Sequence, residues 1–155
     1  RVSIRDFRSI LEAVAEVVAK VEDVDQLTEF ARQRLGAQIA GAHADPSGVL
    51  HAYMLAPAVE DVFRRLQGVR TGNAFDAQEL EGVLELFRIA TGKVDAGSAP
   101  PVILCAGDIR RSVATFAERH FRDTSVISFR ELDPQTQVVA VGTIGSETYD
   151  QKGAA

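Results

Sequence analysis

The stretch from Pro101 to Ile144 constrains the fold most, because strand and helix signals alternate along it. PVILCA (101–106) is a short apolar run, typical of a strand that is covered on both faces. Residues 108–121 then place apolar side chains at helical spacing, and Asp108 stands where a helix N-terminus favours a side-chain oxygen. A second strand is predicted at 125–132. Such a strand–helix–strand unit predicts a right-handed crossover between parallel strands.

A last strand is predicted at Gln137–Ile144, where apolar β-branched residues return. The connection to the preceding strand is a compact turn, Asp133-Pro134-Gln135. A turn this short favours an antiparallel hairpin. The sheet is therefore expected to be mixed.

The first part of the chain is helical by pattern. Apolar residues recur at helical spacing over residues 2–21 and again over 25–43, and an acidic turn separates the two stretches. Neither amphipathic helix can bury its apolar stripe alone, so the two are expected to form a helical hairpin.

Between these parts, a strand is predicted at 49–55, a helix at 57–66 that begins with Pro57, and a helix at 76–91. The predicted fold class is α+β. Residues 1–45 form a helical, winged-helix-like lobe, and residues 46–145 form a small α/β lobe whose mixed sheet is flanked by helices. Residues 146–155 are expected to be a flexible tail.

Composition excludes several classes of protein. A net charge of −5 argues against nucleic acid as a partner, and a single cysteine excludes an internal disulfide. No apolar run approaches the roughly 20 residues that cross a bilayer. The chain opens on Arg1 without a methionine, so we expect a fragment of a longer protein, whose membrane part would lie elsewhere.

Cys105 is the residue with the most reactive side chain. It ends a buried strand just before a helix N-terminus, where a thiolate is favoured. A nucleophile also needs a histidine base, and His43, His51 and His120 lie in three separate elements. A buried core thiol is the favoured interpretation, and a small α/β enzyme that uses Cys105 is the alternative. His43 and Asp45 lack a second pair at ligand spacing, so no metal and no cofactor are expected.

Arginines on the helix of the strand–helix–strand unit form a further candidate site. Arg110, Arg111 and Arg119 lie off its apolar face. They are either a solvated helix face or a basic patch that faces an acidic partner.

Four blocks of the sequence resemble the type III secretion and flagellar export-gate family, the large inner-membrane component of those systems. They are VSIRDFRSILEAVAEVVA with DQLTEFARQRLGAQI, then HAYMLAPAVEDVF, then PVILCAGDIRRSVATFAERHF, and finally SVISFREL with VVAVGTI. They occur in the family's order. Ala106-Gly107 departs from the Ser-Pro or Ser-Val that is typical before Asp-Ile-Arg-Arg, and residues 68–75 match no pattern. The Asp-Ile-Arg-Arg form is nearer to injectisome members than to flagellar ones.

The resemblance implies a structural and docking role without catalysis. The fragment would be the last two of four cytoplasmic subdomains, beneath an N-terminal membrane domain that is absent here. These subdomains assemble into a nonameric homo-oligomeric ring at the cytoplasmic face of the bacterial inner membrane. The expected partners are copies of the chain, secretion chaperones, export substrates, a gatekeeper protein and a stalk component of the ATPase complex. By position in the helical lobe, the candidate ring contacts are Arg5, Asp6, Arg8, Glu12, Arg32 and Arg34.

Overall fold

The structure is a computed structural model that describes residues 7–19, 21, 23–68, 77–92, 99–121 and 123–145. Its elements follow in the order α1 (Phe7–Val17), α2 (Val24–Arg34), α3 (Gly36–Gly41), β1 (Val49–Leu55), α4 (Pro57–Gly68), α5 (Ala77–Thr91), β2 (Val102–Cys105), α6 (Arg110–His120), β3 (Ser125–Ser128), a 3-10 helix (Phe129–Glu131) and β4 (Gln137–Ile144). The predicted α+β fold is confirmed.

The chain divides into two compact units. The helical unit contains residues 1–50 together with Phe129–Gln137, and the sheet unit contains His51–Ser128 and the residues from Val138 onward. This division differs from the predicted boundary after residue 45. It places a late stretch of the chain, the connection between β3 and β4, with the N-terminal helices.

In the helical unit, α1 and α2 pack against each other, as the hairpin prediction requires. Asp23 is the N-cap of α2, where its Oδ1 accepts the Asp25 amide at 2.8 Å. The prediction of one helix over residues 25–43 is wrong, because Leu35 leaves the helical conformation (φ −91°, ψ 8°) and separates α2 from α3. The 3-10 helix packs against both α2 and α3.

The sheet unit is built on four strands in the order β3-β2-β1-β4. β2 pairs in parallel with β1, with Tyr53 opposite Ile103, and in parallel with β3, with Ile103 opposite Val126. The predicted crossover between parallel strands is confirmed. The predicted antiparallel hairpin between β3 and β4, on which the expectation of a mixed sheet rested, is wrong: β3 and β4 lie at opposite edges. β4 lies beside β1, and the Ala56 amide, just after β1, donates to the carbonyl of Ile144 at 2.9 Å.

Two further boundaries differ from prediction. The strand expected over 125–132 ends at Ser128, where the 3-10 helix begins. The helix expected from Asp108 begins at Arg110, and Ile109 occupies its N-cap without a side-chain hydrogen bond. Asp108 therefore does not cap α6.

Aromatic side chains from three helices form the centre of the sheet unit's core. Phe63 of α4, Phe87 of α5 and Phe116 of α6 meet edge to face, with ring centroids 5.1 to 6.2 Å apart. Each such pair contributes about 0.5–1.5 kcal/mol beyond the burial of its area. This cluster fixes α4, α5 and α6 against the inward side chains of the sheet.

Candidate functional site

The exposed face of α1 and α2 carries the candidate ring contacts that remain on the surface. Arg8 is 89% exposed and pairs with Glu12 one turn away, Nε to Oε1 at 2.8 Å. Arg34 is 60% exposed and pairs with Glu16, which joins α2 to α1. Exposed pairs of this kind contribute about 0–1 kcal/mol, so these four side chains can exchange partners at little cost. Arg5 and Asp6 lie outside the described residues.

Arg32 differs from Arg34 although the two share α2. The Arg32 side chain is only 15% exposed, and its Nη2 lies 2.6 Å from Oε2 of Glu131, which is 1% exposed. Removing one partner of a buried pair costs about 3–5 kcal/mol, since the other charge is left in the interior. Arg32 therefore has a structural role within the helical unit, and it is removed from the candidate ring contacts.

The helix α1 also presents apolar side chains to solvent. Phe7 and Leu11 of α1, and Val18 just after its end, are each more than half exposed, although the sequence pattern places all three on an inward stripe. Their spacing puts them on one face of the helix. Exposed apolar side chains that share one face are a composition found in protein contact surfaces.

The basic residues of α6 separate into two groups. Arg111 and Arg119 are exposed, whereas Arg110 is buried in the sheet unit, with 7% of its surface accessible. Arg110 therefore fits neither a solvated helix face nor a basic patch that faces an acidic partner, the two interpretations left open for these arginines, because a buried guanidinium cannot contact another molecule without rearrangement.

A charged network at the carboxyl ends of β1 and β2 was not anticipated from the sequence. Arg64 donates at 2.9 Å to each of Asp108, Asp61 and Glu60, through Nε, Nη1 and Nη2. Glu60 also accepts the amide of Ala106 at 3.2 Å. The i, i+4 spacing of Glu60 and Arg64 and the i, i+3 spacing of Asp61 and Arg64 were the local signals for it.

The same network explains two pKa shifts. The hydrogen bonds from Arg64 to Asp108, Asp61 and Glu60 raise the pKa of Arg64. Partial burial opposes ionisation of Asp108, but the Arg64 hydrogen bond, the Arg64 charge and two backbone amides together lower the pKa of Asp108 below 3.8. The arrangement fastens α4 to the turn after β2.

Cys105 lies in the core of the sheet unit. Its side chain is fully buried, and its Sγ lies 3.8 Å from the carbonyl oxygen of Ile127. A nucleophilic cysteine must be accessible to its substrate. The buried position contradicts the alternative interpretation of Cys105 as the nucleophile of a small enzyme.

The histidines remain in separate elements. His51 and His120 are exposed, and His120 lies against Phe116 with ring centroids 4.9 Å apart. His43 is partly buried after α3, and burial together with the positive charge of Arg32 lowers the pKa of His43 below 6.5. Among the described residues, no group of three histidine, cysteine or acidic side chains could hold a metal ion.

No helix in the described parts of the chain combines the length and the apolar character needed to span a bilayer.

Comparison with known proteins gives the family. The family model described as FHIPEP matches residues 1–137. The chain belongs to the FHIPEP family. Among curated FHIPEP relatives, it is 34% identical over 148 residues to the low calcium response locus protein D of Yersinia pestis, covering 92% of this chain. It is 32% identical over 145 residues to the flagellar biosynthesis protein FlhA of Yersinia enterocolitica, covering 94% of this chain.

Several solved structures share the fold. The Chlamydia pneumoniae CdsV protein matches with a TM-score of 0.83 and 31% identity, over 93% of this chain and 42% of that one. CdsV in complex with CdsO matches with a TM-score of 0.82, 30% identity, and 93% and 43% of the two chains. The nonameric EPEC SctV-C matches with a TM-score of 0.78, 26% identity, and 93% and 44% coverage.

The chain spans 21% of the length of both curated relatives. The chain is thus similar both to the low calcium response locus protein D and to a flagellar biosynthesis protein, at 34% and 32% identity. The predicted membership of the type III secretion and flagellar export family is confirmed.

Proposed function

We propose that this chain is a non-enzymatic part of the export gate of a type III protein secretion system, and that it helps to build a homo-oligomeric ring. This proposal rests mainly on the similarity of the fold, over 93% of the chain, to EPEC SctV-C, which was solved as a nonamer. The proposed location is the cytoplasmic face of the bacterial inner membrane, with attachment through a membrane domain of the longer protein. Injectisome membership is preferred to flagellar membership on the Asp-Ile-Arg-Arg sequence at 108–111.

The proposed ring contact is the exposed face of α1 and α2. Arg8, Glu12 and Arg34 are exposed there in weak ion pairs, beside the apolar side chains of α1. Apolar side chains within a rim of charged ones are the usual composition of a protein interface, where charge sets the register between subunits. Arg5 and Asp6 remain candidates from the sequence alone.

The proposed ring receives chaperone–substrate complexes and a gatekeeper, and it contacts a stalk component of the ATPase complex. The likeness to CdsV, solved together with CdsO, supports a stalk contact. Arg111 and Arg119 are exposed on α6 and suit an acidic partner surface.

The ring contact is tested with Arg34→Glu in the intact export-gate protein, with subunit number measured by native mass spectrometry. We expect loss of the ring with an unchanged circular dichroism spectrum, because the reversed charge is repelled at the interface. Arg88→Glu is the matched control, since Arg88 has similar exposure and only a loose pair with Glu85 at 3.8 Å.

A second variant separates a contact between subunits from a contact within the chain. Arg34→Glu combined with Glu16→Arg restores the pair between α1 and α2 with its charges exchanged. If Arg34 contacts a neighbouring subunit, this double variant still fails to form rings. Recovery of the ring would show that Arg34 acts only inside its own chain and would refute the proposed interface.

A further inference from the structure

The segment Phe129–Gln137, called here the returning segment, leaves the end of β3 and leads to β4. It is short and mostly exposed, and a turn in which the Thr136 amide donates to the carbonyl of Asp133 at 2.9 Å shapes its second half. Only one of its side chains is fully buried, and that side chain is the carboxylate of Glu131. An exposed connection that buries an ionised group requires a specific partner.

Two residues of the helical unit accommodate Glu131, one through its charge and the other through its small size. Arg32 on α2 supplies the opposite charge, at 2.6 Å from Oε2. Gly36, the first residue of α3, supplies space, because a Cβ there would lie 2.2 Å from the carbonyl oxygen of Glu131. Arg32 and Glu131 are 99 positions apart in the sequence. The returning segment is therefore docked at the break between α2 and α3.

A buried ion pair is seldom the most stabilising choice, since apolar residues of similar volume often give equal or greater stability. A better-attested use of such a pair is to specify one arrangement against others. Here the pair holds the returning segment, which belongs to the helical unit. The chain continues from its two ends into β3 and β4, which lie at opposite edges of the sheet.

We propose that the Arg32–Glu131 pair is a latch that makes the helical unit and the sheet unit unfold together. With the latch closed, the folded sheet holds both ends of the returning segment, so Glu131 stays beside Arg32, and the helical unit loses this support when the sheet unfolds. With the latch open, the returning segment becomes a plain linker, and α2 and α3 open independently of β2 and β3. This role does not depend on the proposed function in export.

The test is native-state hydrogen exchange on the purified chain. In the wild type, the slowest amides of α2 and those of β2 should exchange through the same opening, with equal protection. In Glu131→Gln, we expect exchange in α2 and α3 to accelerate about 100-fold or more, while β2 and β3 keep most of their protection. Glu12→Gln is the matched control, because it breaks an exposed pair in the same unit and should leave the two regions equal.

Two more variants cover the other outcomes. If Glu131→Gln does not fold, Glu131→Asp is used instead, because it keeps the charge on a shorter side chain. In this variant too, α2 and α3 should lose more protection than β2 and β3. Arg32→Met with Glu131→Leu fills the site without charge. It should restore stability but leave the protection of the two regions unequal; equal protection in this variant would show that packing alone provides the coupling and would refute the role of the ion pair. Unequal protection in the wild type, or an equal loss of protection in both regions of Glu131→Gln and Glu131→Asp, would overturn the proposal.

Discussion

The Nε atom of Arg64 donates to Oδ2 of Asp108 at 2.9 Å, which joins α4 to the turn that follows β2. Asp108 stands where a helix cap was predicted, yet its carboxylate faces another helix. Both side chains are partly exposed, so solvent screens the pair and limits its contribution to stability. The consequence that can be measured is a shift in titration.

Replacing Arg64 by alanine should raise the pKa of Asp108 toward its ordinary value, because the hydrogen bond and the positive charge are both lost. The folded-state pKa of Asp108 is lowered, so its contribution to stability is present above the unfolded pKa and disappears as pH falls through the folded one. Carboxyl chemical shifts followed by NMR from pH 2 to 6 measure this directly. Arg65→Ala, which removes a pair with Glu79, is the control and should not move the Asp108 titration.

Gly36→Ala should destabilise the helical unit by about 1–3 kcal/mol, since the new methyl group meets the backbone of Glu131, which cannot move aside. Chemical denaturation followed by circular dichroism gives the change. Gly82→Ala in α5 is the matched helical control, because no atom lies within 4 Å of the added Cβ. That control should gain about 0.5–1 kcal/mol from higher helix propensity. Equal effects from both variants would contradict the close packing at Gly36.

Acidification should weaken the helical unit through His43. Burial is the main cause that lowers the folded-state pKa of His43 below 6.5, and the charge of Arg32 adds to it, so the unfolded chain binds a proton more readily. Stability is therefore complete above the unfolded pKa and falls as pH drops through the folded one. Denaturation midpoints at pH 7.5 and pH 5 should differ more in the wild type than in His43→Gln. A pH dependence that is the same in both proteins would rule out this role for His43.

Cys105 should resist alkylation in the folded protein. Its thiol is fully buried between sheet and helices, so the reagent reaches it only after an opening close to global unfolding. We expect the rate with iodoacetamide at neutral pH to be on the order of 1,000-fold below that of the denatured chain. Fast labelling of the native protein would reinstate the alternative of a reactive thiol.

Much of the local structure could be predicted because it depends on neighbouring residues. β1 and β4 have the predicted bounds, and α4 begins at Pro57 as expected. Short runs of apolar residues favour strands, in β4 with many β-branched ones, and a proline with its fixed φ suits the first turn of a helix. The parallel pairing of β2 and β3 also followed, since a helix between two strands imposes a crossover.

The candidate site was predicted less completely. Arg32 and Arg34 are two positions apart in a charged stretch, and the sequence does not indicate which of the two is buried. Two residues turn an α-helix by about 200°, so one guanidinium lies inside against Glu131 and the other lies in solvent. The Arg64 network was missed for a related reason, because Asp108 is 44 residues away from its partner.

By itself, the sequence determined most of the helices and strands, and it carried the motifs that give the family. Only the tertiary structure decided what each segment packs against: that β4 lies beside β1, that α2 breaks before Gly36, and that Arg32 and Arg110 are buried. The physical reason is the distance along the chain over which each interaction acts. Periodicity and backbone preference act within a few residues, whereas strand order and buried charge pairs are selected by the packing of distant parts of the chain.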